Sequence, residues 1–246
     1  MDAIVLSDIH ANLEALDAVL ADAGRFDAAW FLGDAVGYGP DPEACVQRLI
    51  DLGPAVWLAG NHDHAALGKL DIDDFNPEAR EAVHWTVSQL SEAARARLDR
   101  CLPRHTLASP DVTFVHASPR SPVREYILNP AVAEAAFESF SGPLCLFGHT
   151  HVPAAYDEAI DGAMRHPLAP DAPLSLAGGR WLVNPGSVGQ PRDGDPRASY
   201  LRLTFAPDGS VSAVLRRVAY DIAATQAKIV AAGLPPRLAA RLEFGW

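Results

Sequence analysis

At 246 residues, with 49% hydrophobic and 21% charged side chains, the chain holds enough apolar material for one large α/β domain, which excludes the disordered and fibrous classes. A net charge of −11 excludes the basic stripe of a general nucleic-acid or membrane-surface binder, but not an anionic substrate, because bound metal ions reverse a local field. Cys45, Cys101 and Cys145 lie far apart, which excludes a disulfide framework or zinc ribbon, and no apolar run reaches the roughly 18 residues of a membrane span.

In chain order, "AIVL" (3–6) reads as a buried strand and "NLEALDAVLADAG" as a helix stopped by Gly24. "AAWFLG" (28–33) is a second strand, "DPEACVQRLIDLG" a helix with Asp41 as N-cap and Pro42 at its first position, and "AVWLAG" (55–60) a third strand. Strand–helix–strand arithmetic with short connections predicts parallel neighbours. Residues 76–102 read as two helices, the second capped by Ser91. Strands return at 111–118 and 143–149 with a helix between them, then at 178–187. A hairpin turning at Asp208-Gly209 and a helical C-terminus broken at Gly233 complete the chain. Strands at both ends of the chain, mixed with helices, predict two mixed sheets packed face to face with helices outside, a four-layer α-β-β-α sandwich; a single large mixed sheet would read similarly. The expected organisation is one domain over 1–246 with a helical insertion at about 64–105.

Chemistry-bearing residues fall at the ends of these strands. After "IVL" come Asp8 and His10, after "WFLG" Asp34, after "WLAG" Asn61, His62 and Asp63, after "TFV" His116, and after "CLFG" His149 and His151. Taken singly, Asp8 and Asp34 read as well as a cap or turn residue, Asn61 as a turn residue and His116 as a core histidine, while His149 and His151, two apart in an extended segment, share a face and form the strongest single piece. Together they demand a partner: gathering so many polar groups on one rim costs several kcal/mol unless something satisfies them, and the carboxyl ends of strands are where open α/β sheets bind ligands. "NPGSVG" has Pro185 where a nucleophile elbow needs glycine, and no phosphate-binding or dinucleotide fingerprint is present.

The ordered series "SDIHAN", "LGDAVGYG", "AGNHDH", "FVHASP" and "FGHTHVP" resembles the calcineurin-like metallophosphoesterases, in particular the small bacterial and archaeal phosphodiesterase-like branch. The resemblance implies that Asp8, His10 and His151 hold one metal ion, that Asn61, His116 and His149 hold a second, and that Asp34 bridges them. It further implies that His62 donates a proton to the leaving group and that Asp63 accepts a hydrogen bond from His62. Ala11 and Ala117 stand where many members carry glycine. Imidazole, carboxylate and amide ligands without thiolate suit two divalent transition-metal ions (Mn, Fe, Zn, Co or Ni) rather than magnesium or calcium. The expected activity is phosphodiester hydrolysis by in-line attack of a hydroxide bridging metals about 3.5–4 Å apart. A dinucleoside polyphosphate hydrolase, a phosphomonoesterase or protein phosphatase, and a binding scaffold with a vestigial metal site are the alternatives. Arg120, Arg124 and Arg192 are candidates for contacting a phosphate-ester or nucleotide substrate. Neither a stable nucleic-acid complex nor membrane association is expected, and cysteine usage and the N-terminus favour a cytoplasmic location.

Overall fold

The first apolar run forms β1 (Asp2–Leu6), whose side chains alternate between two separate cores. A computed structural model describes residues 1–246. Ala3 and Val5 point to one face of the sheet and Ile4 and Leu6 to the other, and all four are fully buried. Burial on both faces explains why the strand reads as a continuous apolar run rather than an alternating one.

β1 pairs in parallel with β2 (Ala28–Phe31), which pairs in parallel with β3 (Val56–Trp57). The crossovers are α1 (Leu13–Ala23) and α2 (Pro42–Leu52). α3 (Asn61–Ala66), α4 (Pro77–Gln89) and α5 (Glu92–Asp99) follow, the last capped by Ser91, whose hydroxyl accepts from the Ala94 amide. Next come β4 (Arg104–Ala108), β5 (Asp111–Val115), α6 (Pro130–Phe137) and β6 (Leu144–Leu146). β7 (Ala154–Ala159), β8 (Gly162–His166), β9 (Pro173–Ser175) and β10 (Trp181–Asn184) lead to the hairpin of β11 (Ala198–Phe205) and β12 (Val211–Val218). α7 (Ile222–Ala231) and α8 (Pro236–Phe244) close the chain, separated at Gly233 as the sequence predicts.

The strands form two mixed six-stranded sheets, ordered β3-β2-β1-β11-β12-β9 and β4-β5-β6-β10-β7-β8. Between them lies a core of Val5, Trp30, Leu32, Phe114, Leu146 and Val183. The outer face of the first sheet buries Ile4, Leu6 and Phe31 under Leu16, Val19, Val46 and Leu49 of α1 and α2. The outer face of the second buries Val115, Cys145 and Phe147 under Ala133 and Phe137 of α6. This is the four-layer sandwich, and Cys145 sits in its core. No helix is long and apolar enough to cross a membrane.

Trp30 joins the two sheets: its ring meets Phe114 edge-on, with centroids 5.0 Å apart. Truncating it to alanine removes the largest fully buried side chain of the inter-sheet core, and a cost of about 3–5 kcal/mol is expected. The denaturation midpoint in urea reads this directly, and a loss below about 1 kcal/mol would show that the layers close over the cavity.

Two local expectations change. Asp41 is the N-cap residue of α2 but its side chain makes no capping bond; instead Oδ2 accepts from Lys228 of α7 at 2.9 Å. The third strand, expected over 55–60, is confined to Val56–Trp57, and the residues directly after Gly60 form α3.

Candidate metal centre

The ends of β1, β2, β3, β5 and β6 meet at the carboxyl rim of the two sheets, so residues from five strands converge. Convergence requires the chain to turn sharply just past each strand. Asp8, His10, Asp34, His149 and His151 all have left-handed backbones, with φ of 54°, 47°, 59°, 65° and 60°. For a residue with a Cβ this conformation costs about 1–2 kcal/mol, and it persists where surrounding structure over-determines it. Ala11 shares it at φ 52°, a conformation that favours glycine.

Two glycines make the approach possible. A Cβ on Gly60 would stand 2.0 Å from Asp34 Oδ1, and one on Gly148 would stand 2.0 Å from Ser7 Oγ. The glycine preceding Asn61 and the one preceding His149 therefore leave room for the polar groups of the neighbouring strand end.

Within the cluster, hydrogen bonds satisfy one side of each group and leave the other facing inward. Asp8 Oδ2 accepts from Ser7 Oγ (2.6 Å) and from the His149 amide (3.0 Å), while Oδ1 has no hydrogen-bond partner. Asp34 Oδ1 accepts from the His62 amide at 2.8 Å, while Oδ2 has none. That free Oδ2 lies 3.5 Å from His10 Nε2 and 3.4 Å from His116 Nε2, between the two halves of the site. His10, His116 and His151 each place Nδ1 on a backbone carbonyl, those of Val36 (3.0 Å), Leu32 (2.9 Å) and Gln190 (2.6 Å). Those carbonyls take the Nδ1 proton, so each ring in its neutral form presents Nε2 as a lone pair.

The lone pairs then face one another. His10 Nε2 and His151 Nε2 are 3.0 Å apart, and His116 Nε2 is 3.0 Å from Asn61 Oδ1. His151 Nε2 is also 3.4 Å from Asp8 Oδ1, and the buried His149 Nε2 has no partner. Acceptors pressed together in a buried site repel unless a cation stands among them. Ligand atoms of Asp8, His10 and His151 lie within 4.8 Å of one another, as do those of Asp34, His116 and His149. The donor set therefore fits divalent metal ions.

Electrostatics follow the same geometry. Burial, reinforced by the neighbouring Asp34, pushes the Asp8 carboxyl up to about 7. Burial disfavours charge on His116 too, yet Asp34 beside it overrides this and raises it to about 9. Burial lowers His62 to about 4 and His149 to about 3. In the metal-free protein, His116 is raised above its unfolded value of 6.5, so its proton stabilises the fold fully below pH 6.5. That contribution is lost as pH rises through about 9. His62 and His149, with depressed values, act only in the acid range. The metal-free protein is therefore expected to melt at a lower temperature at pH 9 than at pH 7, and manganese should remove the difference. Equal melting temperatures of the metal-free protein at the two pH values would contradict the placement of His116.

Asp63 departs from expectation. Its Oδ2 accepts from the amides of Asp34 (2.9 Å) and Gly60 (2.9 Å), and Oδ1 from that of Val36 (3.3 Å). His62 Nδ1 has no hydrogen-bond partner, so Asp63 does not orient His62. The cause is the helix: Asp63 is the third residue of α3, its carboxylate turns back to accept from the Gly60 amide, and adjacent helical residues do not face each other. His62 is instead held by packing against Tyr38, Phe75 and His10, with centroids 4.4, 5.0 and 4.9 Å away. Gly37 packs so closely against the Nδ1 side of the ring that a Cβ there would lie 2.5 Å from Nδ1, and His62 lines the cleft.

His149 and His151 also differ from the extended arrangement in which they share a face: their left-handed backbones send them to opposite halves of the cluster. Of the three arginines, Arg124 lines the cleft and pairs with Asp74, and Arg192 stands 5.7 Å from the Tyr38 ring. Arg120 does not line the cleft, its guanidinium lying 3.6 Å from Glu125. Sequence reasoning missed Tyr38, Phe75, Tyr126 and Arg241, the last 5.9 Å from the Tyr38 ring. Only Tyr38, in "GDAVGYG" immediately after Asp34, carried a positional signal. Asn12 caps α1, its Oδ1 accepting from the Ala15 amide at 3.1 Å.

Comparison with known proteins agrees with this architecture. The calcineurin-like phosphoesterase superfamily domain matches residues 1–208. A metallophosphoesterase from Sphaerobacter thermophilus is 46% identical and superposes with a TM-score of 0.89, over 100% of this chain and 99% of that one. An uncharacterized protein of Methanocaldococcus jannaschii is 38% identical over 98% of this chain and 97% of its own length. A hypothetical protein from Pyrococcus horikoshii shares the fold at 20% identity, with a TM-score of 0.77 over 100% and 98% of the two chains. Strand-end acids and histidines on a two-sheet sandwich, and a family match spanning both sheets, lead to one assignment: the chain belongs to the calcineurin-like phosphoesterase superfamily.

Proposed function

We propose that the protein is a phosphodiesterase working with two divalent transition-metal ions. The observation that supports its metal-dependent part is the pair of facing lone pairs, His10 Nε2 against His151 Nε2 at 3.0 Å, with the unpaired oxygens of Asp8 and Asp34 beside them. Asp8, His10 and His151 would hold one ion and Asn61, His116 and His149 the other, with Asp34 Oδ2 common to both. Bound there, such ions supply Lewis acidity that lowers the pKa of water toward about 7 and neutralises phosphoryl oxygens.

The remaining work falls to the chain itself. The carbonyls of Val36, Leu32 and Gln190 keep His10, His116 and His151 in the tautomer that offers Nε2. Asp63 ties the amides of Asp34, Val36 and Gly60 together and so fixes the loop that carries Asp34. His62, lining the cleft, moves a proton at Nε2. Burial keeps it neutral in the free protein, and an anionic phosphate beside it favours the imidazolium that can protonate a departing alkoxide. Arg192, close to the cluster, adds a positive charge for the phosphate.

A panel of substrates tests this reading: bis-nitrophenyl phosphate, a cyclic nucleotide, a dinucleoside polyphosphate and nitrophenyl phosphate, each assayed with the manganese-loaded protein. Diester turnover exceeding that of the monoester supports a phosphodiesterase, and a preference for the monoester or the polyphosphate would replace it by the corresponding hydrolase. Absence of any turnover by metal-loaded protein would favour a binding scaffold.

A further inference from the structure

Beside the cluster lies a cleft of about 300 Å³ whose walls are more aromatic than phosphate hydrolysis requires. Tyr126 stacks on His149 with centroids 4.0 Å apart and planes at 28°, and is 45% exposed, so its other side is open. The same cleft is lined by Asn61, His62 and Phe75, the last at the end of the segment between α3 and α4 with its ring 5.0 Å from that of His62. Polar groups stand on the rim. Asp74 and Arg124 pair with each other there, and Asn76 Oδ1 caps α4 through the Ala79 amide, which leaves the Asn76 amide group as a free donor. An aromatic floor with hydrogen-bonding groups at its edge is the chemistry that recognises a planar heterocycle: the faces stack, and the ring's nitrogens and carbonyls meet donors and acceptors. A purely alkyl ester would gain nothing from the rings.

We propose that Tyr126 and Phe75 form a stacking site for a nucleobase, making the substrate a nucleoside-bearing phosphate ester whose phosphate lies over His149 and Asn61. The proposal rests on the phosphoesterase reading only for the position of the phosphate. The stacking site selects the ester by its base, and Asp74, Asn76 and Arg124 set which base edge is accepted. Stacking of a base on an aromatic side chain contributes a factor of roughly 5–150 in affinity.

Calorimetric titration of the manganese-loaded protein with adenosine 5′-monophosphate, uridine 5′-monophosphate and ribose 5-phosphate isolates this factor, because the three ligands differ only in the base. At least one nucleotide is expected to bind about tenfold or more tightly than ribose 5-phosphate. Tyr126→Leu and Phe75→Leu should reduce that preference to less than about threefold, with ribose 5-phosphate measured on each variant as its own reference for phosphate binding, and Tyr126→Phe should preserve it. Equal affinity for all three ligands, or a preference unaffected by both leucine variants, would overturn the stacking site while leaving phosphoester hydrolysis intact. If the preference is present but no ester is hydrolysed, the stacking site stands and the catalytic reading fails. Failure of all three ligands to bind overturns the proposal.

Discussion

Asp34→Asn is expected to lower kcat/KM for a phosphodiester by roughly 10³-fold or more, equivalent to about 4 kcal/mol of transition-state stabilisation, while leaving the fold intact. The substitution is nearly isosteric. An asparagine can keep its Oδ1 on the His62 amide, the bond Asp34 makes at 2.8 Å. Its amide nitrogen then takes the place of Oδ2 and donates toward His10 Nε2 or His116 Nε2, which lie 3.5 and 3.4 Å from that oxygen. A donor now stands where a cation should be shared. Metal content by elemental analysis should fall together with activity, and the melting temperature of the metal-free protein at pH 7 should fall too, since the Asp34 charge that holds the His116 proton has been removed. Wild-type metal content and activity in this variant would show that Asp34 does not join the two halves of the site.

His62→Ala should act on a different step and so give a different signature. Hydrolysis of esters with poor, alkyl leaving groups is expected to fall by about 10²–10⁴-fold, the usual contribution of a general acid, while activated nitrophenyl esters lose less than about tenfold. Metal content should remain at the wild-type level. Equal losses on the two ester classes would remove His62 from proton transfer. Asp63→Asn offers a useful contrast: its carboxylate ties three backbone amides together, so its loss should be felt in metal affinity and stability rather than in leaving-group dependence.

The site was legible in the sequence because its residues stand immediately after apolar strand segments, where the chain must leave the sheet. Asp8, His10, Asp34, Asn61, His116, His149 and His151 all meet at one rim, and the two-sheet architecture that gathers them follows from strands at both ends of the chain. The failures have local causes. The pairing of Asp63 with His62 is implied only by the resemblance; with α3 starting at Asn61, the third helical position sends the Asp63 carboxylate back to the Gly60 amide. The edge strand β4 and the β7–β8 hairpin escaped because "RHTLA" and "AAYDEA" are polar and partly exposed, without a sustained apolar run. Tyr126 and Phe75 could not be found because they occupy connecting segments, and their approach to the centre depends on how α4 and the chain after His116 pack.

The most direct test of the metal-dependent reading is a titration of the metal-free protein with manganese, following hydrolysis of bis-nitrophenyl phosphate. Turnover should be absent at the start, rise with added metal, and level off at two equivalents per chain. Turnover that is already maximal without metal, or that stays absent at saturating metal, would contradict a catalytic centre built on Asp8, His10, Asp34, Asn61, His116, His149 and His151.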